Sequence, residues 1–496
     1  MAKVQRLSAG NTRGHAEQEV NHVTARLLLF FFPVALLAQT EATGTVRTVV
    51  LEDVLGNIEK TFPVILLATR EIRKAEFDIL AAQGAFDLAL RGSVNNTTGY
   101  YDNNRAELNI VKPTPLWGTS FFAGYRVSNG DFPDYYTPRR TTPGGEIRFG
   151  GRIPLWRDRS IDSDRLELMQ SQINKDIAGN VLDEQRLGVY RDAAASYWNW
   201  VAAGKRKRIV QDLLRIAELR KEQLQRRVKL GDIPAIEEKE NERAILARRE
   251  QIAAADRLLQ KSALYLSLYF READGKMIVP AEGQLPPEFP AEKPLAKEIF
   301  EADKEFALKH RPELKRIESE IELEQNALRF HENQRAPQID LIVAGSRSVQ
   351  EPPSQGVLRR DPWEAEFGVV FNVPLQTRKQ DGKIGGTEQK IEILRQKYAY
   401  QKDKIVIEAN DALIALENAL KRLEIIREEL VVAESLAKAE KSRFDLGDST
   451  LLIVNLREQA AAEVALRMVS AELDYWVATA DYEAVVMKYL RRTTKS

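Results

Sequence analysis

The sequence predicts a mainly α fold with a smaller β part of membrane-strand character, organised as two long antiparallel helical hairpins in tandem. Three observations carry this. The hexad Arg227-Val228-Lys229-Leu230-Gly231-Asp232 returns 216 residues later as Arg443-Phe444-Asp445-Leu446-Gly447-Asp448, so R-x-x-L-G-D occurs twice. Each copy lies between two charged, glycine-poor segments of helical periodicity. Each such pair is preceded by runs in which apolar residues alternate with period two and end at Pro-Leu, Pro154-Leu155 and Pro374-Leu375. Glycine takes the left-handed conformation that ends a helix, and Asp232 and Asp448 are placed to accept N–H bonds from the next helix's first turn. Each hexad therefore reads as a hairpin tip. A chance match is the alternative for the hexads alone, and the matching flanks argue against it.

The chain has 496 residues, 29% of them charged, no cysteine, and 73 basic against 73 acidic side chains. Zero net charge disfavours a nucleic-acid binder. Without cysteine there is no disulfide, thiolate metal site or Cys nucleophile. The histidines are His15, His22, His310 and His331, the first pair in the leader and the second in charged helices. No phosphate-binding glycine motif occurs, so no catalytic, metal or cofactor site is expected.

Residues 1–26 are polar with a basic excess, and Leu27–Ala38 is an apolar run. It is shorter than the ~20 residues of a membrane helix and fits the core of a secretory signal. Residues 1–38 are read as leader, with the mature chain starting near Gln39 or Thr43. A buried helix is the rival reading. No other run approaches membrane-helix length, so entry into a membrane requires strands.

Leu51–Lys60 and Pro63–Ala85 read as helices, with Pro63 at a first helical position. The period then changes to two. Leu88, Leu90 and Val94 alternate with smaller or polar neighbours, as do Ala106, Leu108 and Ile110, and as do Phe121, Ala123, Tyr125 and Val127. Ile147, Phe149 and Ile153 oppose Glu146, Arg148 and Arg152, the pattern of a lipid-embedded strand over a wet lumen, or of a half-exposed soluble sheet. Ser128–Gly145 reads as a loop. Helix runs from about Asp162 to Leu230 with a stripe including Tyr190, Tyr197, Trp198 and Val201. It returns over Pro234–Phe270 with Ile245, Ile252, Leu259 and Leu266 at coiled-coil spacing. Residues 39–270 form a first repeat and the proline-rich stretch 271–295 a linker.

The second repeat, 296–496, keeps the order. Helices cover Ala296–Lys309 and, from Pro312, residues to about Asn333. Strands follow at Gln338–Val349 and Trp363–Val373, the latter setting Trp363, Ala365, Phe367, Val369 and Phe371 against Glu364, Glu366, Gly368 and Asn372. Helix runs from Gly386 to Asp445 and returns over Thr450–Arg492. Two short helices stacked end to end match each long one, giving a rod ~90–105 Å long. Two or four strands per half cannot close a barrel, since the smallest membrane barrels need about eight. Closure needs several copies.

On the two L-G-D tips, Arg311-Pro312-Glu313-Leu314 before the second strand pair and the paired Pro-Leu endings, the chain resembles the TolC-like outer-membrane efflux proteins across roughly Leu51–Arg492. The resemblance implies duplicated hairpins forming a periplasmic α-barrel, and a trimeric transmembrane β-barrel of twelve strands, four per chain, in outer-membrane lipid. It implies a homotrimer whose tips meet a periplasmic adaptor joined to an inner-membrane pump, as the exit duct of a tripartite efflux or type I secretion system. Arg227, Leu230, Gly231, Asp232, Arg443, Leu446, Gly447 and Asp448 would form the adaptor surface, with the leucines as exposed anchors and the arginines available to an adaptor's carbonyls or carboxylates. Phe149, Trp363, Phe367, Val369 and Phe371 would face the membrane.

The sequence departs from the family twice. The extra strand pair Ala106–Val111 and Thr119–Val127 resembles a subgroup and leaves the strand count open. The aspartates that constrict the pore in family members, six and nine residues past the second tip glycine, are here Ile453 and Leu456. On the first hairpin Glu237, Glu238 and Glu240 are candidates to line the aperture, against a solvated helix face as the alternative. The competing classes are a coiled-coil envelope rod, which needs no two-faced strands, and an enzyme, for which no constellation is present.

Overall fold

The computed structural model describes residues 47–133, 140–350 and 363–493. The leader and its cleavage lie outside the described residues. From Arg47 onward the chain forms one compact unit.

The first repeat opens with α1 (Leu51–Gly56), α2 (Ile58–Thr61) and α3 (Pro63–Gln83), followed by β1 (Ala89–Thr97), β2 (Asn103–Pro113), β3 (Ser120–Gly130) and β4 (Glu146–Pro154). The hairpin α4 (Ser163–Lys229) and α5 (Ala235–Ser267) comes next. The second repeat holds α6 (Lys297–His310), α7 (Pro312–Arg335), β5 (Gln338–Ser348), β6 (Trp363–Asn372), α8 (Arg378–Asp445), α9 (Leu451–Val485) and α10 (Lys488–Thr493). The helix expected over Leu51–Lys60 is broken at Asn57, whose side-chain amide donates to the Arg271 carbonyl at 3.0 Å. The last helix is likewise interrupted at Met487, where φ is 62°.

All six strands form one antiparallel sheet in sequence order, so β4 of the first repeat pairs with β5 of the second, from Glu146 opposite Ser348 to Pro154 opposite Asp340. Among the described residues the open strand count resolves to six, not the four per chain that the resemblance implies. The extra pair comprises β2 and β3 in full register with their neighbours. The four junctions with helices all lie at one end of the sheet: the start of β1, the end of β4, the start of β5 and the end of β6. The β1–β2, β3–β4 and β5–β6 connections lie at the far end.

The long helices are 67 and 68 residues, each ~100 Å at 1.5 Å per residue. Helix α8 starts at Arg378, eight residues before the expected Gly386, and takes in Gly382, Gly385 and Gly386. Each glycine costs a helix about 1 kcal/mol, and tertiary contact offsets it. Thr387 and Ile391 are buried, Arg335 reaches Asp381 at 3.3 Å and Lys390 reaches Glu324. Helix α4 packs against α3 and α7 near the sheet, and against α5 and α9 along the tip-ward half.

Midway, α4 carries the main core. Trp200 is fully buried among Tyr197, Trp198, Leu266 and Leu473. The 271–295 stretch is no free linker. Leu285 and Phe289 pack into this core, Lys207 pairs with Glu282, and Arg208 donates to the carbonyls of Pro286 and Pro287. A Cβ on Gly204 would lie 2.3 Å from Leu285 Cδ1, so the glycine lets the belt seat against α4.

Candidate functional site

Two regions carry candidate functional side chains: the sheet and the tips. Strand geometry sends alternate residues to opposite faces, and the registers align the faces across all six strands. One face presents Leu90 and Val94, Leu108 and Ile110, Phe121 and Tyr125, Ile147 and Phe149, then Trp363, Phe367, Val369 and Phe371, all exposed. Their exposure is high for apolar side chains, 74% for Phe367 and 72% for Phe371. An apolar face of this extent marks contact with something other than water. The five membrane-facing candidates, Phe149, Trp363, Phe367, Val369 and Phe371, lie together on it. From Trp363 to Phe371 the strand covers ~27 Å at ~3.4 Å per residue.

The opposite face is ion-paired. Arg148 stands 3.5 Å from Glu107, 3.8 Å from Glu146 and 3.6 Å from Glu366, joining β2, β4 and β6. Arg126 pairs with Glu146, and Arg152 with Asp340 at 2.8 Å. Val111, Phe122, Ile342 and Val370 are apolar exceptions on this side. Apolar outside and charged within is the residue distribution of a barrel around water.

At the other end, both tips close alike. The Asp232 N–H donates to the Arg227 carbonyl and the Gly231 N–H to Val228; Asp448 and Gly447 do the same to Arg443 and Phe444. These paired bonds cap a helix C-terminus with a left-handed residue, and Gly231 and Gly447 have φ of 78° and 88°. The expected side-chain capping by Asp232 and Asp448 is absent. The following helices start at Ala235 and Leu451, with Pro234 and Thr450 in the N-cap positions and no side-chain cap, and each aspartate acts through its backbone. A Cβ at either glycine would meet nothing within 4 Å. Gly231→Ala and Gly447→Ala should therefore each cost only the left-handed penalty, about 1–2 kcal/mol, with asparagine recovering most of it. Thermal unfolding followed by circular dichroism checks this.

The tips are 216 residues apart in sequence and adjacent in space. Leu224, Phe444, Leu451 and Val454 form one buried cluster with Ile233 against it. Arg227 lies over the Phe444 ring at 5.4 Å, and Arg443 donates to the Asp448 carbonyl at 3.2 Å. Both arginines have a contact within the chain, and the Arg443 side chain remains 60% exposed. Leu230 and Leu446 project outward, 76% and 80% exposed.

Of the aperture candidates, Glu237 accepts from the Leu451 N–H at 3.1 Å, satisfying an open donor of the other hairpin. Glu238 accepts from Gln225. Glu240 holds Arg243, whose hydrogen bond keeps that carboxyl below its usual pKa. Ile453 and Leu456 are exposed, Leu456 at 60%.

One cluster escaped sequence reading. Glu458 of α9 takes Arg220 of α4 on one oxygen and Arg248 of α5 on the other, the latter at 3.1 Å. Arg220 also donates to Asn455 and Arg248 to the Leu213 carbonyl. All three charged side chains are 10% exposed or less. Burial pulls the Arg248 guanidinium below its usual pKa and Glu458 opposes that. Arginines spaced along charged helices read as surface residues, so no local signal marked them.

Among the described residues no helix is long and apolar enough to cross a membrane, and no cluster of His, Asp or Glu is placed to hold a metal. No family profile matches the sequence, and no curated protein does. Solved structures match along most of the chain. The outer-membrane channel OprN is 11% identical with a TM-score of 0.63, over 88% of this chain and 89% of its own. The outer-membrane protein VceC of Vibrio cholerae is 13% identical with a TM-score of 0.61, over 88% and 95%. The open-state MtrE outer-membrane channel of Neisseria gonorrhoeae is 14% identical with a TM-score of 0.59, over 88% of both. The chain has the fold of these TolC-like outer-membrane channels.

Proposed function

We propose that this protein is the outer-membrane exit duct of an efflux assembly, with its sheet in the outer membrane and its helices in the periplasm. The observation that carries the reading is the two-faced sheet joined at one end to hairpins ~100 Å long. A purely structural rod has no need of an exposed apolar sheet face backed by ion pairs. The chain offers six strands, fewer than the roughly eight of the smallest membrane barrels, and unpaired strand edges are not tolerated in hydrocarbon. Closure therefore needs more than one copy, and the working unit of this reading is a homotrimer, as the resemblance implies. Native mass spectrometry in detergent should find three chains, and the same material should conduct ions in a planar bilayer. A stable monomer without conductance would refute the duct.

In this reading the tips meet a periplasmic adaptor that links the duct to an inner-membrane pump. Leu230 and Leu446 are the exposed apolar anchors of the kind that dominate small interfaces. With Glu237, Glu238 and Glu240 engaged within the chain, Ile453 and Leu456 are the aperture candidates left uncommitted. Leu230→Ser with Leu446→Ser keeps both tip glycines, so trimers should form at normal abundance. Crosslinking to the adaptor and substrate export should then be lost. Full export by the double mutant at wild-type abundance would leave L-G-D with a turn-making role only.

A further inference from the structure

The sheet ends in two strands, β1 and β6, each paired on one side only. A single row of Cα partners crosses it: Arg91, Asn109, Gly124, Arg148, Ser346 and Glu364. Arg91 stands two residues from the helix-side start of β1 at Ala89, whereas Glu364 stands eight residues from the helix-side end of β6 at Asn372. In crossing the sheet the row climbs by the difference, six residues. At ~3.4 Å per residue that is ~20 Å, over the five strand spacings of ~4.8 Å between β1 and β6 or ~24 Å, an inclination of ~40°. Membrane barrels close with strands tilted ~35–45°. The stagger that closure needs is built into one chain.

β1 leaves the helix side and β6 returns to it, so β6 of one copy and β1 of the next meet antiparallel. Both carry the same faces, Leu90 and Val94 continuing the apolar side of Phe367 and Val369, and Arg91 and Ser93 the charged side of Glu364 and Glu366. We infer that three copies close an eighteen-stranded barrel through a β1–β6 seam, where the resemblance implies twelve strands. This rests on the duct reading above. Eighteen strands at that tilt enclose a backbone cylinder ~36 Å across, against ~24 Å for twelve. The exit is then as wide as a large porin, and the narrowest point of the duct lies away from the membrane.

The rival arrangement peels β1 and β2 off the barrel and makes β3 the seam partner of β6. Against it, β2 is held to β3 over eleven partner pairs and its Glu107 is ion-paired with Arg148 of β4.

The chain has no cysteine, so introduced pairs report alone. The climb of six places Ser93 opposite about Gly368 of the neighbour. Ser93→Cys is combined in turn with Glu366→Cys, Gly368→Cys and Val370→Cys, and Phe122→Cys with Val370→Cys tests a β3–β6 seam. The full-length protein is oxidised in detergent and run without reductant. At least one Ser93 pair should move most of the protein into a three-chain band that reductant abolishes, and the Phe122 pair should not. A three-chain band from the Phe122 pair, or trimers by native mass spectrometry that no Ser93 pair crosslinks, would overturn the eighteen-strand seam and leave the duct standing. Monomers by native mass spectrometry would remove the duct reading itself.

Discussion

Glu458→Ala should destabilise the tip-ward half of the helical rod by about 3–5 kcal/mol, because it strips the shared carboxylate from two buried guanidinium groups. Arg220 and Arg248 keep only the Asn455 side chain and the Leu213 carbonyl as partners. No water-exposed escape is open to side chains that are 8% and 4% exposed. The triad also ties α4 and α5 to α9, so its loss should loosen one hairpin against the other. Thermal unfolding by circular dichroism reads the stability, and tryptic cleavage within the tip-ward helices reads the loosening. Replacing all three residues with apolar ones of similar volume should restore most of the loss, since a well-packed apolar substitute often equals a buried ion pair. A Glu458→Ala protein with wild-type melting would show that the pairs contribute nothing net.

The second large effect belongs to the sheet. Val369→Arg should impair barrel assembly, with a cost of about 2–4 kcal/mol for arginine at the bilayer midplane, falling toward the interface. Val369 lies one side-chain repeat from Phe367, the midpoint between Trp363 and Phe371, so the lower part of that range applies. Its neighbour Val370 sits at nearly the same depth on the opposite face, opposite Asp340. Val370→Arg should therefore be tolerated, its guanidinium joining a surface that already holds Arg152 and Asp340. Heat-resistant trimer on a semi-native gel, measured for both variants, decides the matter. Equal loss would mean that the sheet has no wet face.

The sequence carried the hairpins and the strands because their signals are local. Gly231 and Gly447 mark the turns, Pro63 and Pro312 the helix starts, and Leu259 and Leu266 occupy the buried seam. The period-two runs matched the strands and assigned the faces of β6 correctly, Val370 apart. What was hidden depends on distant partners. Gly382, Gly385 and Gly386 argued against helix until α7 is seen packed beside them. Prolines at 280, 286, 287, 290 and 294 read as a linker, yet Leu285 and Phe289 fill the core beside Trp198 and Gly204. At the tips, Asp232 and Asp448 had the chemistry of caps, and the backbone made that cap unnecessary. Glu237 had the look of a solvated carboxylate, and its partner is an amide 214 residues away.

The pairing of β4 with β5 has a kinetic consequence. Pro154 faces Asp340, 186 residues further along the chain, whereas each hairpin turns within a few residues of its glycine. Contacts between near neighbours form fast, and pairings that close long loops wait for the entropy of closure to be met. In a chain emerging from its N-terminus, α4 and α5 can zip together while the central rung of the sheet still lacks its second strand. The apolar face of the sheet is therefore completed only after the first hairpin can form. That ordering holds back the part of the molecule most prone to aggregate until the chain has arrived as far as β6, with α8, α9 and α10 still to come.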